Sequence, residues 1–236
     1  MAQTTDTTAF NLDLNAIVEE AFERCGTELR SGYDLRTARR SLNLLLLDWA
    51  NRGINLWTID SGEIAMLAGT ATYVLAADTV DLLDHVIRTG SGISQQDLSI
   101  SRISLPTYST IPNKNMTGRP LQVWVDRQSG VANSGGDVQY PKITVWPVPD
   151  ASSTYTFVYW RLRQMQDVGD GINAQDIPFR FLPCLVAGLA FHLAMKIPGA
   201  EQRLMFLKEE YDRTWAMASD EDREKAPVRF VPRLVS

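Results

Sequence analysis

The 15 residues from Phe181 to Met195, FLPCLVAGLAFHLAM, constrain this chain more than any others. They are apolar on every side of a helix rather than along one stripe, and a helix of that kind must be enclosed by other elements. Broken by Pro183 and His192, the run is too short to cross a bilayer comfortably. Its cover must therefore come from protein. The predicted helix spans residues 177–196, capped by Asp176 with Pro178 in its first turn, and the Pro198-Gly199 pair stops it.

Three further helices can supply that cover. The first is predicted from Leu12 to Cys25, between Asn11 as N-cap and Gly26 as C-terminal stop. Leu14, Ile17, Val18, Ala21, Phe22 and Cys25 recur at helical spacing, while Glu19, Glu20 and Glu23 face away. A second runs from Asp34, as cap, to Asn51 and ends at Gly53, with Leu35, Ala38, Leu42, Leu45, Leu46 and Trp49 as its stripe. Leu44 and Leu47 lie off that stripe, which predicts burial on more than one side. A short turn at Ser31-Gly32 makes these two an antiparallel αα-hairpin. The last helix follows Gly199 and reaches Ser219, with Leu204, Leu207, Tyr211, Trp215 and Ala218 as its seam and Glu201, Lys208, Glu209, Asp212 and Arg213 opposite.

Between the helical ends the period changes from 3.6 to 2. Strands are predicted at Asn55–Ile59, Ile64–Leu67, Thr72–Leu75, Asp84–Thr89, Leu98–Ile103, Leu121–Val125, Lys142–Trp146 and Thr154–Leu162, with Tyr108 and residues 111–118 as loop. In the last strand Tyr155, Phe157 and Tyr159 share one side and Thr156, Val158 and Trp160 the other. A Gly/Ser/Asn-rich segment between Arg127 and Gln139 is too long for a tight hairpin. The predicted class is α+β: an antiparallel four-helix bundle (residues 1–53 with 176–219), a central antiparallel β-rich insertion (54–175) and an extended tail (220–236). Pro227 and Pro232 forbid a regular helix in that tail, yet Val228, Phe230, Val231, Leu234 and Val235 are too apolar for a free end in water. It calls for a surface, on a partner or on its own bundle.

The chemistry is sparse. A net charge of −5 argues against a general nucleic-acid binder but suits a wall past which DNA slides. Cys25 and Cys184 stand far apart, without a CxxC, and read as reduced, buried thiols rather than a disulfide or zinc site. The first ten residues lack a basic and an apolar region of the secretory kind, which predicts a soluble protein. His192 reads as a satisfied core histidine and His85 as an exposed strand residue. No nucleophile motif accompanies either. Asp167 to Gly171, DVGDG, lacks the ligand spacing of a calcium loop. Arg36, Arg39 and Arg40, with Arg30 ahead of them, gather on one side of the second helix. They fit either a contact with DNA or an acidic subunit surface, or ion pairs with Glu19, Glu20 and Glu23. Ion pairing is the preferred reading in so acidic a chain. A cell-wall hydrolase would need two opposed carboxylates that are not evident, and a ligand-binding module would have to use the aromatic strand 155–160.

The stretches FNLDL (10–14), EEAFERCG (19–26), YDLRTARRSLNLL (33–45) and DWANRGINLW (48–57) together resemble the opening of phage head-to-tail adaptor proteins, relatives of the tail tubular protein A and tail accessory factor of short-tailed phages. The resemblance is specific over residues 10–60 and architectural beyond. It implies a non-enzymatic virion protein, made in the host cytoplasm, that forms a ring of commonly twelve copies below the portal protein. Such a ring extends the DNA channel, helps retain packaged DNA without sequence-specific binding, and carries a tail nozzle or fibre protein. The resemblance also implies a C-terminal segment that reaches the portal, here Val228, Arg229, Phe230, Val231, Arg233, Leu234 and Val235. No catalytic residue, metal or cofactor carries over, and no membrane is involved. A ring needs a head-to-tail contact between unlike faces. Leu44 and Leu47 are candidates for that contact, and the charged side of the last helix, with Glu209, Asp212 and Arg213, is another. The loop residues Val131, Asn133, Gly135 and Gly136 are candidates for a partner contact.

Overall fold

The computed structural model describes residues 12–53, 56–128, 138–167 and 176–222. In chain order its elements are helices α1 (Leu14–Cys25) and α2 (Gly32–Asn51), then strands β1 (Ile59–Ala65), β2 (Thr72–Val74), β3 (Thr79–Thr89), β4 (Gln96–Ser99) and β5 (Ser101–Ile103). There follow α3 (Leu105–Ser109), β6 (Gln122–Asp126), β7 (Lys142–Trp146), β8 (Tyr155–Arg163), α4 (Leu182–Ala194) and α5 (Leu204–Glu221). The chain divides into two compact units, Met1–Trp57 with Met165–Ser236, and Thr58–Gln164. The Gly/Ser/Asn-rich loop, most of the DVGDG segment and the tail residues expected to reach the portal lie outside the described residues.

The helical unit is organised around α4. Because α4 is apolar all round, it takes α1, α2 and α5 against its different sides, and the helix–helix contacts run through it. The expected αα-hairpin is therefore not the packing unit: α1 and α2, adjacent in sequence, each dock on α4. Local chemistry sets the ends. Asp13, not Asn11, caps α1, its carboxylate accepting the Ala16 N–H at 2.7 Å. Ser31, not Asp34, caps α2. Its hydroxyl accepts the Asp34 N–H at 3.3 Å and donates to the Asp34 carboxylate at 2.9 Å, which holds the capping hydroxyl in place. At Gly26, φ is 82°, a left-handed stop that turns the next N–H, that of Thr27, back to the Phe22 carbonyl at 3.1 Å. Pro183, rather than Pro178, occupies the first turn of α4, and a 3-10 turn at Phe179–Phe181 precedes it. Phe181, not Asp176, stands at the N-cap position of α4; the Asp176 carboxylate accepts the Gln166 N–H at 3.3 Å and its carbonyl the Trp57 Nε1–H at 3.0 Å. The Trp57 ring, 5.0 Å from that of Phe181, is claimed by the helical core. That is why Leu56–Thr58 forms a 3-10 turn where a strand was expected. His192 is half-buried against Phe191 rather than deep in the core.

In the other unit two four-stranded sheets, ordered β1-β8-β3-β4 and β2-β7-β6-β5, share one apolar core. Val123, Val125, Ile143 and Val145 come from one sheet, and Ile87, Phe157 and Tyr159 from the other. Pairing is antiparallel except between β5 and β6, which the crossover containing α3 allows to run parallel. Helix α3 itself takes up Tyr108, predicted as loop. Ser104 caps it and Pro106 sits in its first turn, and Tyr108 stacks 5.5 Å from Trp124. On the opposite face of the first sheet Arg88 reaches Glu63 at 2.6 Å and Asp97 at 2.9 Å.

The expected architecture, an antiparallel four-helix bundle with a central antiparallel β-rich insertion, is thus overturned. Among the described residues five helices and two four-stranded sheets form instead, and the strand-rich unit has its own core. Two sheets each need one face covered, and here each covers the other.

His85 departs from its predicted exposure for an equally local reason. Plain alternation from Leu82 would turn Asp84 inward and His85 out. A β-bulge between Leu82 and Asp84 shifts the phase by one residue, so His85 stands opposite Tyr159 and is buried. Its ring stacks 5.8 Å from Phe157, and neither nitrogen has a hydrogen-bond partner among the described residues. Burial pushes its pKa below the ordinary value, Arg102 adds to that, and Asp84 opposes it. The fold therefore holds a neutral imidazole, whereas the unfolded chain takes up a proton below about pH 6.5. Stability should fall as pH drops through that value and be unaffected above it. In His85→Leu, denaturant unfolding between pH 7 and 5 should show a slope flatter by up to about 1.4 kcal/mol per pH unit. An unchanged slope would contradict the buried neutral state.

Candidate subunit interface

The outer face of α2 is not an ordinary solvated surface. Tyr33, Arg36, Arg40, Leu44 and Leu47 follow one another at spacings of three and four, so they line one side of the helix. Tyr33, Leu44 and Leu47 are 64%, 60% and 61% exposed. Leu44 and Leu47 are thus not enclosed by this subunit. Beside them opens a groove of about 830 Å³, bounded by Phe22, Tyr33, Leu44 and Leu193 and by the cations of Arg30, Arg40 and Lys196, with Glu28 and Asp34 also on its rim. The Lys196 ammonium donates to the Ser41 hydroxyl at 2.7 Å.

Arg30, Arg36 and Arg40 do not make the ion pairs expected of them. Among the described residues, Arg30, Arg36 and Arg40 have no partner in Glu19, Glu20 or Glu23. Glu20 bonds Arg24 of its own helix at 2.8 Å, and α1 lies against α4 rather than against α2. Positive charge is left beside exposed leucines.

Helix α5 presents a second such face of the opposite sign. Glu209, Asp212 and Arg213 are exposed on it, Arg213 being held by Glu210 at 2.7 Å. Sequence reasoning missed its apolar part. Met205, Phe206 and Met217 are 75%, 70% and 65% exposed. Phe206 and Met217 are eleven residues apart, close to three full turns, and so stand on one line. The signal was present in the sequence, as three large apolar residues off the seam formed by Leu207, Tyr211 and Ala218.

The family model of the SU10 adaptor protein matches residues 13–231, which takes in both units. The chain belongs to the SU10 adaptor protein family. As an SU10 adaptor it is a phage adaptor protein, a structural part of the virion that works with other phage head and tail proteins. A comparison with curated proteins gives no match.

In this SU10 adaptor both thiols are free and buried. Burial pushes Cys25 up to about 11 and Cys184 up to about 12, so neither offers a thiolate near neutral pH. Among the described residues no group of His, Cys, Asp and Glu is placed to hold a metal ion, and no helix is long and apolar enough to cross a membrane. What the adaptor's helical unit presents is surface for contact.

Proposed function

We propose that this adaptor forms a ring, of about twelve copies as such rings commonly have, that joins the portal to the tail, extends the DNA channel and helps retain packaged DNA. The observation that carries the reading is the pair of unlike faces on one helical unit. That of α2 is apolar and basic, and that of α5 apolar and net acidic. Unlike faces suit a head-to-tail contact repeated around an axis until it closes, whereas a self-complementary face would give a dimer. Apolar anchors flanked by opposite charges supply both affinity and register. The acidic chain suits a channel wall that DNA must slide past. Val228, Arg229, Phe230, Val231, Arg233, Leu234 and Val235 carry the portal contact, and the segment with Val131, Asn133, Gly135 and Gly136 meets a nozzle or fibre protein.

Native mass spectrometry of the adaptor mixed with its portal tests this. A closed ring on the portal is the expected product, and a subunit that stays single in that mixture overturns the proposal. Leu44→Asp combined with Leu47→Asp should leave the melting temperature nearly unchanged, since both side chains face solvent in the subunit. The same pair should abolish the ring. Deletion of residues 227–236 should abolish portal binding, and unchanged binding removes the tail from the contact.

A further inference from the structure

A second groove lies on the helical unit, of about 970 Å³, between α1 and the start of α4. Its apolar lining is Leu12, Ala16, Phe179, Leu182, Pro183 and Val186, and Leu12 and Phe179 are exposed. Glu19, Glu20 and Glu23 line it as well. Arg24 neutralises Glu20, but the carboxylates of Glu19 and Glu23 make no ion pair among the described residues. A soluble subunit with an apolar trough edged by uncompensated acids is built for an apolar, basic segment.

The chain owns such a segment, and it starts at the groove. Helix α5 ends at Glu221, and the next residue, Asp222, is ion-paired with Arg180, itself one of the groove's walls. The Asp222 side chain is fully buried there. Its Oδ2 and the Nε of Arg180 lack hydrogen-bond partners among the described residues, an arrangement that buried polar atoms rarely tolerate. Residues 223–236 then read REKAPVRFVPRLVS. Arg223, Lys225, Arg229 and Arg233 outweigh Glu224, and apolar residues alternate with the last two cations. At about 3.3 Å per extended residue the segment spans far more than the groove's length. The residues before Leu12 also begin beside the groove, but they carry Asp6 and no lysine or arginine, the wrong charge for an acidic rim.

We infer that in the free subunit residues 223–236 lie in the groove between α1 and the start of α4 of the same chain, with the arginines against Glu19 and Glu23. The inference concerns the subunit before assembly and does not depend on what the segment touches in the virion. It accounts for how an apolar terminus is kept from indiscriminate association until a partner competes for it.

The test uses the full-length chain carrying Arg233→Lys, so that the segment bears an amine at each end. Copies labelled with nitrogen-15 are mixed with unlabelled ones and coupled with a zero-length carbodiimide, which joins an amine to a carboxylate only in direct contact. Amide links from position 225 and position 233 to Glu19, Glu20 or Glu23, within peptides of one isotope, are the expected result. Links that join the two isotopes overturn the intrachain seat in favour of a second copy. Links to α1 from the N-terminal amine alone overturn it in favour of the N-terminal segment. As a second readout, Glu19→Gln combined with Glu23→Gln keeps the Glu20–Arg24 pair and should speed tryptic cleavage after Arg229 by about tenfold, the factor that 1.4 kcal/mol represents. An unchanged cleavage rate overturns the proposal.

Discussion

Trp49→Ala should destabilise the helical unit by about 3–5 kcal/mol, measured by denaturant unfolding at neutral pH. Trp49 is among the largest of the fully buried side chains. It is where α2 meets the other helices: its ring centroid lies 5.6 Å from that of Phe181 and 5.3 Å from that of Trp215. Its Nε1–H donates to the Tyr211 hydroxyl at 3.0 Å. The alanine leaves a cavity that four packed helices cannot close, together with a buried tyrosine hydroxyl that has lost its donor. Trp49→Phe separates the two terms, because it keeps most of the volume and loses the hydrogen bond; it should cost about 1–2 kcal/mol. A loss below about 1 kcal/mol in the alanine variant would mean that α2 is not anchored there. The proposed ring should fail to form in the same variant, because Leu44 and Leu47, proposed as its contact, ride on the helix that Trp49 holds.

Gly188→Leu should cost more than about 3 kcal/mol, while Gly188→Ala should stay within about 1 kcal/mol of the parent. Glycine in a helix interior is costly, so its presence in the middle of α4 needs a reason. That reason is close approach. A Cβ added at 188 would stand 2.9 Å from Leu45 Cδ2 and 2.9 Å from Tyr211 Cε2. The leucine methyl can swing away, but the tyrosine ring is held by its hydrogen bond to Trp49. For alanine this strain roughly offsets the gain in helix propensity. For leucine three more carbons must enter a gap with no room for one, and α2 and α5 must part from α4. Thermal melts followed by circular dichroism distinguish the two variants, and a leucine variant as stable as the parent would place the helix packing elsewhere.

Much of the helical unit was legible in the residues alone. The stripe of each helix is a property of spacing, and spacing survives whatever the neighbours are. The same holds for α4, whose lack of any polar side demanded a central place before any partner was known. The outer positions of Glu209 and Asp212 also followed from spacing, as residues off a buried stripe, whereas Leu44 and Leu47, read as enclosed on more than one side, stand exposed. Strand existence was legible for a related reason, most clearly at β8, whose run of aromatic and β-branched residues from Tyr155 to Trp160 suits a strand buried in a sheet.

Other features had no local cause. Nothing in α1 or α2 says that each will choose α4 over the other; that depends on which surfaces bury most area together, a comparison made only in three dimensions. The bulge in β3 is a matter of register with β8, so His85 could not be placed from alternation along its own strand. Trp57 lies in a run that reads as strand, and a core formed by residues more than a hundred positions away turns it into a 3-10 turn. The two grooves are of the same kind, since each joins segments distant in sequence. Periodicity determined which face of each element is apolar, because side-chain direction repeats with the backbone. Tertiary structure decided which faces meet and which are left over for a partner, because burial is a property of pairs.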